Sequence, residues 1–203
     1  MSCTFCSMYK YYTFYKPFEV LSQFTQEVKG HRTLQDYLSF DKDVYPIGRL
    51  DKDSEGLLLF TNERSLTEAI LSPDKDHKKT YWVQVEGTAT EELCAQLCTT
   101  HSIRTKKKTH KVRALECELL EEAPLPPRKP PIRERKHIPT SWISITLTEG
   151  KHRQVRKMCA HFGFPVLRLC RWSIEDVTLK NLKPGEHREL SEKNFKKLLH
   201  LKD

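Results

Sequence analysis

The sequence predicts an α+β fold, a mixed and largely antiparallel sheet with flanking helices, on three observations. Apolar residues recur at every second position or in short continuous runs, so most segments read as strands. Single helical patterns separate those strands instead of following one another. The chain has 203 residues, of which 37% are hydrophobic and 31% charged. That is enough for one large domain, or for two lobes sharing a central sheet, under a very hydrophilic surface.

The elements follow in order. Residues 1–8 carry no clean pattern and are expected to form a flexible N-terminus, leaving one domain over 9–203. "KYYTFYKPFEVLSQF" (10–24) has aromatic and β-branched residues on either side of Lys16-Pro17 and reads as strand, turn, strand. "RTLQDYL" (32–38) is a short helix that Thr33 can cap, with Leu34, Tyr37 and Leu38 on one face. "GLLLFTN" (56–62) is a continuous apolar run of strand length, and "SLTEAIL" (65–71) is a helix stopped near Pro73. "KKTYWVQVEG" (78–87) alternates as a strand, "TEELCAQLC" (90–98) is an amphipathic helix capped by Thr90, and "HKVRALECELLE" (110–121) reads as one further strand.

At residue 124 the composition changes. "PLPPRKPPIRERKHIP" (124–139) is dense in proline and in Lys/Arg and has no apolar period. It predicts an extended segment, partly polyproline II, with its cations pointing outward. It serves either as a plain linker or as a phosphate-contacting strip, and its charge density favours contact no more than evenly. "SWISITLTEG" (141–150) restores strand alternation. "KHRQVRKMCAHFG" (151–163) is a helix whose buried stripe is Val155, Met158, Cys159 and Phe162, with cations opposite and Gly163 and Pro165 ending it. "PVLRLCRW" (165–172) is a strand, and "GEHRELSEKNFKKLL" (185–199) is a strand followed by a helix.

Bulk properties exclude several classes. No apolar run approaches bilayer-spanning length, and the N-terminus lacks a basic start followed by a clean apolar stretch, so neither a membrane span nor a secretory signal is expected. Seven cysteines, an odd and scattered set, fit reduced thiols in a cytoplasmic protein better than a disulfide framework. Cys3 and Cys6 form one CxxC without a second pair, so structural zinc is not expected. The net charge of +8 favours polyanionic partners.

"DKDSEG" (51–56) looks like the start of a calcium loop, but the twelfth position, which needs a bidentate Glu, is Asn62. Pro46 and Gly48 also break any helix before it. Two readings remain for Asp51: a solvated acidic turn, or a reactive carboxylate on a turn between buried segments. A carboxylate in the second position needs an opposite charge to stay ionised; Arg49 and the arginines of "HRQVRK" are candidates. Cations for phosphate contact are available at Arg49, Arg133, Arg135, Lys136, Lys151, Arg153 and Lys157.

Taken together, these residues resemble a known family. "GRLDKDSEGLLLFTN" is similar to the signature of RsuA-type pseudouridine synthases, an Arg-Leu-Asp ahead of a Gly-Leu-Leu strand. "KKTYWVQVEG" resembles the family's Lys-x-Tyr motif, and "EGKHRQVRKM" its Gln-x-Arg motif. Three ordered motifs are far more specific than any one of them. "KPFEVLSQFT" and "PPIRERKHIPTSW" resemble the RluE-like branch, which acts on large-subunit ribosomal RNA. The likeness covers roughly residues 14–190. It implies the pseudouridine synthase catalytic fold without an N-terminal S4 RNA-binding domain, a monomer, and isomerisation of a uridine in that RNA without cofactor or metal. It also implies Asp51 as nucleophile toward base or sugar, Tyr81 stacked on the target base, and Arg156 as partner of Asp51. From the residues alone a second reading of each stays open: Tyr81 as an ordinary strand aromatic and Arg156 as an exposed helix cation.

Two positions depart from the family pattern. Arg64 stands where relatives have Gly, which puts the turn after the Leu-rich strand in question. Glu175 stands where they usually have Gly, which raises the expectation that a glycine-requiring backbone position has moved. The rival reading is a non-catalytic RNA-binding or ribosome-assembly module on the same fold; it would not need the intact motif set.

Overall fold

The structure, a computed structural model, describes residues 9–72, 75–105, 108–132, 135 and 137–201. Cys3, Cys6, Arg133 and Lys136 lie outside the described residues. In chain order the elements are β1 (Tyr11–Lys16), β2 (Val20–Leu21), β3 (Arg32–Thr33), β4 (Tyr45–Ile47), β5 (Glu55–Thr61), α1 (Arg64–Leu71), β6 (Lys79–Glu86), α2 (Glu91–Cys98) and β7 (His101–Arg104). There follow β8 (Thr109–Val112), β9 (Glu116–Leu120), β10 (Thr140–Leu147), α3 (Gln154–His161), β11 (Val166–Ile174), β12 (Val177–Thr178), β13 (His187–Leu190) and α4 (Glu192–Leu198). The result is a mixed α+β fold, largely antiparallel. The chain divides into two compact units, Met1–His77 with Ile174–Asp203, and Lys78–Ser173.

In the first unit β1 lies between β13 and β5, antiparallel to both, and β4 pairs antiparallel with β5. Every residue of β5 is buried, as the continuous apolar run predicts for a strand covered on both faces. Phe14, Leu58 and Phe60 pack on one side with Val20, Leu34, Leu38 and Val44. On the other side Tyr11 meets Phe195 of α4, with ring centroids 4.9 Å apart. Thr33 does begin the turn at Leu34–Asp36, but as a 3-10 turn closed by a reciprocal Thr33–Asp36 capping box. Arg64 is simply the first residue of α1, so the turn after β5 requires no glycine. Residue 175, by contrast, keeps a left-handed backbone at φ 47°, so the glycine-type position stays where it was, and the Glu175 carboxylate lies 3.2 Å from Nδ1 of His77.

In the second unit the strand order is β11-β6-β10-β9, with β10 antiparallel to both neighbours, and β7 and β8 form a separate hairpin. One face of this sheet, from Tyr81, Val83, Val85, Ile143, Ile145 and Leu147, packs on Leu93 and Leu97 of α2 and Val155, Met158 and Cys159 of α3. Thr90 caps α2 by accepting from the Leu93 amide. The opposite face carries a stacked pair, Trp82 and Trp172, with centroids 3.8 Å apart.

Among the described cysteines all five are free thiols, and burial raises the pKa of the Cys159 thiol to about 12. Burial, then its contact with Cys94, also pushes Cys117 upward, and burial with the Glu63 hydrogen bond (2.6 Å) raises the Tyr11 phenol. These groups hold their protons in the folded state but release them when unfolded, the phenol above its ordinary value of 10.0 and the thiols already above 9.0. Their contribution to stability is therefore complete below that pH and declines as pH rises through the folded values. The urea midpoint is expected to hold steady to about pH 8.5 and to fall toward pH 11. Cys159→Ala should reduce that fall; an identical alkaline decline in the variant would contradict the assignment.

Candidate active site

The turn carrying Asp51 is fastened through its backbone. Gly48 adopts φ 76°, and a Cβ there would sit 3.0 Å from Leu71 Cδ2, so the chain leaves β4 through a conformation and a space that suit glycine. Arg49 is then exposed and Leu50 buried. The Ser22 hydroxyl binds both sides of Leu50, donating to its carbonyl at 2.8 Å and accepting from its amide at 3.1 Å. On the far side the Glu19 amide donates to the Lys52 carbonyl at 2.9 Å, and the Ser54 amide to that of Asp51 at 3.0 Å. Both neighbours of Asp51 are thus tied to residues 19–22, and the buried strand β5 begins at Glu55. The half-buried Asp51 carboxylate is presented from a turn with little freedom to shift.

The same geometry disposes of the calcium loop. Glu55–Thr61 is an extended strand, so Asn62 lies roughly 20 Å along it from Glu55 and cannot close a twelve-residue ring. No group of three or more His, Cys, Asp or Glu side chains among the described residues is arranged to hold a metal ion.

Tyr81 sits on the helix-facing side of β6, opposite Ile145 of β10, and is only 9% exposed. At the start of α3, Arg153 is the N-cap in a left-handed conformation, φ 55°. Gln154, the first letter of the Gln-x-Arg motif, is buried: its Oε1 accepts from the Lys151 amide at 2.9 Å and its Nε2 donates to Glu149 Oε1 at 2.7 Å. Its role is to fasten the 149–151 turn to the helix. Arg156, two residues on, is half-buried and donates from Nη1 to the Val166 carbonyl at 3.2 Å, which fixes its guanidinium against the start of β11.

The structure places Asp51 and Arg49 in the first unit, and Tyr81, Arg135, Lys151, Arg153, Arg156 and Lys157 in the second. It gathers Lys151, Arg153, Arg156 and Lys157 around the N-terminal half of α3. Arg135 lies 3.1 Å from Glu86 at the end of β6, and Lys151 3.5 Å from Glu149. Residue types and spacing did not reveal Ser22 and Glu19, because what they do depends on a long-range contact. Ser22→Ala is expected to lower kcat about tenfold with little change in KM, by loosening the turn, and Ser22→Thr to restore most of it. Single-turnover rates for the three proteins decide it; a wild-type rate in the alanine variant would remove Ser22 from any positioning role.

The chain belongs to the RNA pseudouridylate synthase family, whose model matches residues 10–161. It is 46% identical over 180 residues to the ribosomal large subunit pseudouridine synthase E of Vibrio vulnificus, covering 88% of this chain and 74% of that one. It is 43% identical over 176 residues to the enzyme of the same name from Xanthomonas campestris pv. campestris, covering 85% and 91%. A solved crystal structure of a pseudouridylate synthase shares the fold with a TM-score of 0.73 at 24% identity, over 94% of this chain and 74% of that one.

Proposed function

We propose that this protein isomerises a specific uridine of large-subunit, 23S-type ribosomal RNA to pseudouridine, as a cytoplasmic monomer and without cofactor. In that reaction the bond between N1 and C1′ breaks, the base turns, and C5 bonds to C1′. C5 gives up a proton and N1 gains one, so no electrons are exchanged with an outside partner. Such chemistry calls for an anionic nucleophile held in place and a surface that retains the detached base.

Asp51 is the proposed nucleophile. Tyr81 supplies the aromatic platform for a base taken out of its stack, and Arg156 the positive charge that keeps the carboxylate ionised. Arg49, Lys151, Arg153 and Lys157 are assigned to phosphate contacts, with the 124–139 segment contributing more through Arg133, Arg135 and Lys136. The observation that carries this reading is the Asp51 turn, whose two flanking peptides are fastened to the 19–22 segment. A solvated acidic turn would not need such fastening. The names of the similar enzymes from Vibrio and Xanthomonas supply the substrate class. Pseudouridine mapping of ribosomal RNA from cells with and without the protein tests it: one large-subunit site should disappear with the protein, and unchanged maps would overturn the reading.

A further inference from the structure

Ala123–Ile132, with Arg135 and Ile138, borders an open cavity of about 490 Å³ on the second unit's sheet. That lies within the roughly 300–1,000 Å³ typical of small-ligand sites. Its buried lining includes Leu125, Trp142 and Arg168, the guanidinium carbon 5.9 Å from the indole centroid, with Arg168 Nη1 donating to the Pro126 carbonyl at 2.7 Å. Gln84 donates from Nε2 to Thr140 Oγ1 at 3.0 Å, which leaves its carbonyl oxygen to accept from a ligand. Arg128 is half-buried and Arg135 exposed, so both belong to the mouth. Among the described residues three arginines and no carboxylate line the cavity, and Arg135 also lies 3.1 Å from Glu86 Oε1.

Strand alternation places this cavity away from Tyr81. Gln84 and Trp142 are register partners on the face opposite Tyr81, Val83 and Ile143, which pack against the helices. Along β6, Gln84 is roughly 10 Å from Tyr81. Whatever occupies the cavity is therefore not the base that Tyr81 would meet.

We propose that the cavity is a second nucleotide site, which takes one unpaired nucleotide of the substrate RNA. Its base stacks on the Trp142–Arg168 plane, its edge is read by Gln84, and its phosphate is held by Arg128 and Arg135 at the mouth. A flat apolar group carrying negative charge fits both halves of the lining. A neutral peptide would have no use for the cationic mouth, and an acidic one none for the aromatic wall. The inference rests on the RNA substrate proposed above and adds where a nucleotide other than the target is gripped.

The test uses the full chain and a five-nucleotide single-stranded oligouridylate with 4-thiouridine at its centre. On irradiation the cross-link should map to residues 123–142 or to Arg168. Arg128→Gln with Arg135→Gln should weaken oligonucleotide binding roughly tenfold and raise KM for ribosomal RNA more than it lowers kcat. Thr140→Trp, which fills the cavity from an exposed lining position without altering charge, should do the same. A cross-link confined to other peptides, or wild-type binding and KM in both variants, would overturn the site even if pseudouridine is made normally. A cross-link in the cavity of a protein that forms no pseudouridine would uphold the site and refute the enzyme reading instead.

Discussion

Asp51→Asn is expected to lower pseudouridine formation by at least about 10⁴-fold, the scale on which loss of a nucleophile is felt in enzymes. Asparagine has nearly the shape of aspartate, and the contacts that hold the turn use the backbone of Leu50, Asp51 and Lys52. None of them depends on the side-chain charge. Folding stability and RNA affinity should therefore stay close to wild type, so that the loss falls on the chemical step. Tritium release from 5-tritiated uridine in ribosomal RNA, with filter binding on the same preparations, separates the two. Turnover near the wild-type rate would exclude the carboxylate as nucleophile. A loss of turnover accompanied by an equal loss of binding would make Asp51 a docking residue.

Local pattern revealed those parts of the fold whose burial repeats along the chain. β5 was legible because "GLLLF" is apolar at every position, and α3 because Val155, Met158 and Cys159 fall at helical spacing. The β7–β8 hairpin was not, since only Ile103 and Val112 of its eight residues are buried and its polar positions show no period. For the same reason "HKVRALECELLE" read as one strand although the chain breaks it at Arg113–Leu115 into β8 and β9. Of the candidate site, the Asp51 turn was visible as a turn between apolar segments. What holds it was hidden: Ser22 lies 28 residues from Leu50, and a serine hydroxyl that clamps a distant peptide looks the same in sequence as one facing water. Gln154 could have been suspected, because a polar residue directly preceding a buried stripe must find partners if it turns inward.

The largest expected effect on stability comes from a residue that read merely as the end of a strand. Lys16 is fully buried, and its ammonium donates to the carbonyls of Pro17 at 2.9 Å and Val20 at 2.7 Å. Those carbonyls belong to the loop whose next residues, Glu19 and Ser22, secure the backbone around Asp51. Lys16→Met keeps the apolar stem and removes the buried charge, which in some proteins is neutral or stabilising when the whole polar group is replaced. Here only one side of the interaction goes. The two carbonyls remain in the interior without their donor, and each such orphan costs roughly 1–3 kcal/mol. The loss should win, at about 2–4 kcal/mol in urea unfolding. Because the 17–22 loop loosens with it, kcat should fall further than the unfolded fraction accounts for. A methionine variant that melts at or above the wild-type temperature, with full activity, would show that the loop holds its shape, and the turn its place, without the ammonium.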